Sequence, residues 1–133
     1  AEQASHPVEA GAIRISTVYV VDDDDRVRRS LARLLASFDL KAYTFPSAEA
    51  FLAEVDPAAD GCLILDLQLV GMSGSDLQNR MNARDCRMPV IAMSGSLDFQ
   101  TETEILRLGA SVVLRKPFDA QSLINALAQV RSP

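Results

Sequence analysis

Tryptophan is absent, histidine occurs once, cysteine twice, and aromatic residues make up only 5% of the chain. Cys62 and Cys86 belong to no CxxC pair or Cys/His cluster, which excludes a disulfide framework and a zinc site of the usual spacing. Reduced thiols and a cytoplasmic setting are expected. No apolar run approaches the length that spans a bilayer, and the first residues, with Glu2, His6, Pro7 and Glu9, lack a signal peptide's apolar centre. No membrane association is expected. Basic charge is also short: 13 Lys and Arg against 18 Asp and Glu leave a net charge of −5. Direct nucleic acid contact by this chain is therefore not expected, since displacing counterions needs a positive face.

What is present suffices for one domain, because 133 residues with 48% hydrophobic side chains can bury a single sizeable core. Residues 1–16 show no sustained period and few large apolar groups, so they read as a flexible N-terminal tail, with the domain over 17–133. His6 lies in that tail, without acidic neighbours to give it a role. From there short apolar runs alternate with amphipathic stretches. The runs are Val18 to Val21, Ala42 to Phe45, Cys62 to Leu65, Val90 to Met93 and Val112 to Leu114. Between them helices are predicted from about Arg26 to Phe38, Ser47 to Val55 and Ser75 to Arg84, with a fourth ending at Gly109 and a fifth from Asp119 to Val130. Gly109 suits a helix C-cap and Asp119 an N-cap. Arg26, Arg28, Arg29 and Arg33 read as a solvated helix face. Continuously apolar strands alternating with helices predict an α/β fold: a five-stranded parallel sheet, doubly wound in the flavodoxin-like order 2-1-3-4-5.

In such a sheet the ligand site lies beyond the carboxyl ends of the strands, where the strand order reverses. Strand 1 runs into Asp22-Asp23-Asp24-Asp25, strand 3 into Asp66, strand 4 into Ser94 and strand 5 into Lys116-Pro117. Carboxylates gathered from separate strands repel one another unless a cation compensates them. A six-oxygen shell of carboxylates, water and a backbone carbonyl suits Mg2+. Asp23 and Asp66, with Asp22 as a further candidate, are the expected ligands. Helix capping is the other reading of the acidic run, and it fits Asp24 and Asp25 best. Asp66 ends an apolar strand before a loop with Gly71, Ser73 and Gly74, as a carboxylate nucleophile would. Such a group can attack phosphorus when a metal and a fixed cation neutralise the equatorial oxygens. Lys116, between Val112–Leu114 and Pro117-Phe118, can be that cation, although a surface lysine is the plainer reading. Ser94 can donate a hydrogen bond to the same group, but a Ser-Gly turn alone would be weak support.

With these residues assembled, the chain resembles the response regulator receiver domains over about Thr17 to Val130. It is most similar to the FixJ-like branch, through Val20-Val21-Asp22-Asp23-Asp24, Ser47-Ala48-Glu49-Ala50-Phe51-Leu52, Gly71-Met72-Ser73-Gly74 and Lys116-Pro117-Phe118. The resemblance implies phosphorelay signalling in a two-component system. A sensor histidine kinase would pass a phosphoryl group to Asp66; Asp22 and Asp23 would bind magnesium with the backbone carbonyl of Gln68; Ser94 would be the switch hydroxyl; Lys116 would contact the phosphoryl group. It also implies a cis Lys116–Pro117 bond. The domain would be a switch rather than an enzyme, with at most self-phosphorylation and self-dephosphorylation; Gln68 and Ser96, which flank the site, are candidates to tune hydrolysis. Output would pass through helix 4, strand 5 and helix 5 to a homodimer or another partner, with Ile124 at the margin of helix 5 as a candidate apolar contact.

Three positions depart from the family's usual pattern. Val70 stands where proline is common, Ser94 where threonine is commoner, and Val113 where an aromatic usually accompanies activation. Without a ring at 113, a smaller difference between the two states is expected. Two other functions compete. A metal-dependent phosphatase would need a substrate-enclosing cap, and no stretch is long enough to form one. A degenerate receiver would signal by protein binding alone, which the retained charged residues oppose.

Overall fold

The computed structural model describes residues 9–95 and 99–130. His6 and Ser96 lie outside them. A single 3-10 turn, Ala10–Ala12, precedes β1 (Thr17–Val21), α1 (Asp25–Ser37), β2 (Lys41–Phe45), α2 (Ala48–Glu54), β3 (Cys62–Asp66), α3 (Gly74–Ala83), β4 (Val90–Ser94), α4 (Phe99–Leu108), β5 (Val112–Arg115) and α5 (Ala120–Gln129). The strands are parallel and ordered β2-β1-β3-β4-β5, as the alternation of apolar runs and helices implied.

Side-chain alternation along each strand divides the core in two. Val18, Val20, Cys62, Ile64, Ile91, Met93 and Leu114 face α1 and α5. Val21, Leu63, Leu65, Val90, Ala92 and Val113 face α2, α3 and α4. β3 and β4 are buried along their whole length, which is why they read as unbroken apolar runs. Burial pushes the Cys62 thiol up to about 12, so it stays protonated.

Polar side chains start the helices. Asp24, Ser47, Ser73 and Asp119 each accept a hydrogen bond from a backbone N–H two or three residues on, satisfying donors that the first turn leaves unpaired. Gly109, at φ +125°, turns the chain out of α4 in a conformation that a side chain would resist.

Part of the segment read as a tail is docked. Ile15 is buried and Ile13 is packed beside it against the α1/α5 core. The Ser16 carbonyl accepts the Lys41 N–H. Two isoleucines are too few to show a period in the sequence, yet enough to pin a short segment once a core exists to receive them.

Candidate phosphoacceptor and metal site

Asp66 ends β3, and Asp22 and Lys116 directly follow β1 and β5; alternation leads all three to the α1/α5 side and brings them together at the carboxyl edge of the sheet. Asp22 is fully buried and Asp66 nearly so, while Asp23 is exposed. Carboxylate oxygens of Asp22, Asp23 and Asp66 all lie within 4.8 Å of one another. Lys116 Nζ donates to Asp22 Oδ2 at 3.1 Å and stands 3.6 Å from Asp66 Oδ1. The Lys116–Pro117 peptide is cis.

Backbone donors and one arginine hold this cluster. The Asp24 N–H donates to Asp22 Oδ1 at 2.8 Å, and the Gln68 N–H to Asp66 Oδ1 at 3.0 Å. The Val70 N–H reaches across from the β3–α3 loop to Asp23 Oδ2 at 3.2 Å. Arg28 donates through Nη1 to the Asp22 carbonyl at 2.7 Å and through Nη2 to Asp25 Oδ1 at 2.9 Å. Its side chain is only 16% exposed, so Arg28 does not belong to the solvated face predicted for it. Spacing could not reveal this, because a helix that begins at the acidic run must first be folded before residue 28 returns to residue 22. Asp25, by contrast, is the first residue of α1, exposed itself and paired with Arg28 and Arg29, where its charge favours the helix N-terminus while Asp24 makes the cap.

Close backbone approach completes the site. A Cβ on Gly74 would lie 2.8 Å from Leu67 Cδ2 and 3.1 Å from Leu67 Cα, so only glycine lets α3 begin this close to the strand that ends in Asp66. Gln68 is exposed and its side-chain oxygen lies over Gly95. Ser94 is buried at the end of β4, and its carbonyl accepts the Lys116 N–H at 2.7 Å.

Burial raises the Asp66 carboxyl above its ordinary value of 3.8; the Gln68 N–H opposes this, the charge of Asp22 adds to it, Lys116 opposes it and Asp23 adds to it. Three carboxylates against one ammonium leave negative charge uncompensated. The all-oxygen donor set and this surplus of charge fit a hard divalent cation such as Mg2+.

The sequence profile of the response regulator receiver domain matches residues 18–128. The chain belongs to this family of two-component signalling domains. It is 44% identical to the transcriptional regulatory protein FixJ of Azorhizobium caulinodans over 110 residues, covering 83% of this chain and 52% of that protein. The structure of the response regulator StyR superposes with a TM-score of 0.81 at 37% identity, covering 87% of this chain and 59% of that one. The structure of FixJ-N does so with a TM-score of 0.81 at 31% identity, covering 90% of this chain and 99% of that one. These matches support the FixJ-like branch, and the chain spans about half the length of the curated relatives it matches. A receiver domain is a switch rather than a dedicated enzyme. Among the described residues no helix is long and apolar enough to cross a membrane.

Proposed function

We propose that Asp66 accepts a phosphoryl group from a phosphohistidine of a sensor kinase, with Asp22, Asp23, Asp66 and the backbone carbonyl of Gln68 holding magnesium. The observation that carries this reading is the convergence of three carboxylates within 4.8 Å with Lys116 Nζ 3.6 Å from Asp66. The ion supplies charge neutralisation at the phosphoryl oxygens. Asp66 Oδ1 is held by the Gln68 N–H and faces Lys116, so Oδ2 is presented as the nucleophile. As the Oδ2–P bond forms, the P–N bond of the donor breaks and its electron pair returns to the imidazole. Lys116 then pairs with the new oxygens, and Ser94 donates its hydroxyl hydrogen to one of them. Small phosphodonors can replace the kinase in self-phosphorylation, and water later cleaves the acyl phosphate.

A cleft of about 420 Å³ beside Lys116 supports the kinase as partner. Val27, Leu31, Leu34, Pro117 and Phe118 line it together with Arg26, a mostly apolar surface of the kind against which an amphipathic helix bearing the histidine would pack. On the output side Phe99 is 74% exposed and Leu106 46%, seven residues apart on one face of α4. Ile124 is half-buried. An association through α4, β5 and α5 would therefore rest more on Phe99 and Leu106 than on Ile124.

Intact mass after incubation with acetyl phosphate tests the reading. One added phosphoryl group, dependent on magnesium and lost in Asp66→Asn, is the expected result. Undiminished labelling of Asp66→Asn would overturn the assignment, and no labelling under any condition would favour a receiver that works by binding alone.

A further inference from the structure

Val112 and Leu114 of β5 pack toward α1 and α5, and Val113 toward the opposite core. Arg115 therefore shares Val113's side of the strand, and Lys116 has the other. Two consecutive residues reach in opposite directions: Lys116 to the acidic cluster, Arg115 to α4. Arg115 Nη2 donates to Glu102 Oε1 at 2.9 Å. Glu102, in the first turn of α4, is only 8% exposed, and its buried Oε2 has no hydrogen-bond partner among the described residues. Arg115 itself is half exposed.

This pair has an all-or-none character. A buried carboxylate with one bare oxygen has no second partner among the described residues if its arginine departs, and the uncompensated charge must then reach water. Water can be reached if the first turn of α4 moves. Lys116, meanwhile, is nearer Asp22 than Asp66, at 3.1 Å against 3.6 Å. A phosphoryl group on Asp66 adds negative charge and acceptor oxygens on the Asp66 side, drawing Lys116 that way. The Lys116 N–H is bonded to the Ser94 carbonyl and Arg115 stands opposite Ser94 in the sheet, so any backbone shift that accompanies this pull is shared by the joined ends of β4 and β5.

We propose, resting on the reading that Asp66 is phosphorylated, that Arg115 and Glu102 are positioning residues. Their ion pair sets the strand end from which Lys116 reaches the site, and the shift of Lys116 toward a phosphoryl group detaches Arg115 from Glu102 and releases α4. Val113 has no ring to swing inward, and this polar contact supplies the coupling instead. The release acts on the helix that carries the exposed Phe99 and Leu106.

Hydrogen exchange of the α4 amides in the whole chain, with and without magnesium and beryllofluoride, tests the proposal. Arg115→Ala without ligand should speed α4 exchange about tenfold, short of the effect of a fully buried pair because Arg115 is half exposed. Arg115→Lys should restore much of the protection. The double variant Glu102→Leu/Arg115→Leu orphans no charge, so α4 should be protected again. In the unsubstituted protein beryllofluoride should speed α4 exchange, while in the double variant it should shift the Gln68 and Gly95 amide resonances yet leave α4 unchanged. Unaltered α4 exchange in Arg115→Ala, or a double variant whose α4 still responds to beryllofluoride, overturns the proposal. If beryllofluoride shifts neither amide in the unsubstituted protein, the phosphoacceptor reading fails, while Arg115→Ala alone still decides whether the pair holds α4.

Discussion

Around β1 and β3 the backbone holds the side chains: N–H groups of Asp24, Gln68 and Val70 each donate to a carboxylate of the cluster, and Arg28 fastens the carbonyl behind it. Around β5 and α4 a half-exposed arginine and a buried glutamate make a side-chain contact, and two large apolar residues of α4 face solvent. The first region is over-determined, as positioning a reaction requires. In the second, a single ion pair with one half-exposed partner links β5 to the first turn of α4, the kind of contact that a helix proposed to change place could lose. On the proposed reading, reaction and response would be built on neighbouring strand ends, with Lys116 and Arg115 joining them.

The comparison breaks most readily at the fixed side. Asp66→Asn should abolish labelling by acetyl phosphate, measured by intact mass, because an amide is a far poorer nucleophile. Asp23→Ala should weaken magnesium binding by calorimetry at least about tenfold, since even groups behind metal ligands cost that much when removed. Asp25→Ala should leave magnesium affinity nearly unchanged and cost roughly 0.5 kcal/mol in urea unfolding, because Asp25 itself is exposed and outside the carboxylate cluster. Equal losses of magnesium binding in both variants would mean that the acidic run acts as a whole.

On the side proposed to respond, Leu106→Glu should abolish any association that beryllofluoride induces in sedimentation, and Ile124→Glu should reduce it less, in line with their exposure. The opposite ranking would move the contact to α5. The smallest effect concerns Asp119, whose carboxyl is held below the ordinary value of 3.8 by hydrogen bonds from Ser122. A lowered value in the folded state means that the stabilisation is present above the unfolded value and is lost as pH falls through the folded one. Asp119→Asn keeps a capping oxygen, so its urea midpoint should fall less than that of the unsubstituted protein on acidification below about pH 4.

Sequence by itself determined the sheet order, the helices and the residues that meet at the carboxyl edge. These follow from short-range rules: apolar period, capping chemistry, and the right-handed crossover that leaves few topologies to choose from. Asp24 and Asp119 were legible as caps for the same reason, since each binds its own next turn. Tertiary structure alone decided what depends on distant segments meeting. Ile13 and Ile15 dock only because a core is already there. Arg28 leaves the solvated face because α1 starts where the acidic run ends, and the Val70 N–H finds Asp23 across a separation of 47 residues. Glu102 and Arg115 stand in no motif of the sequence, and only the fold turns Arg115 toward α4 and takes Glu102 out of water. A carboxylate's meaning in this chain lies in what surrounds it, and only the packed fold sets its surroundings.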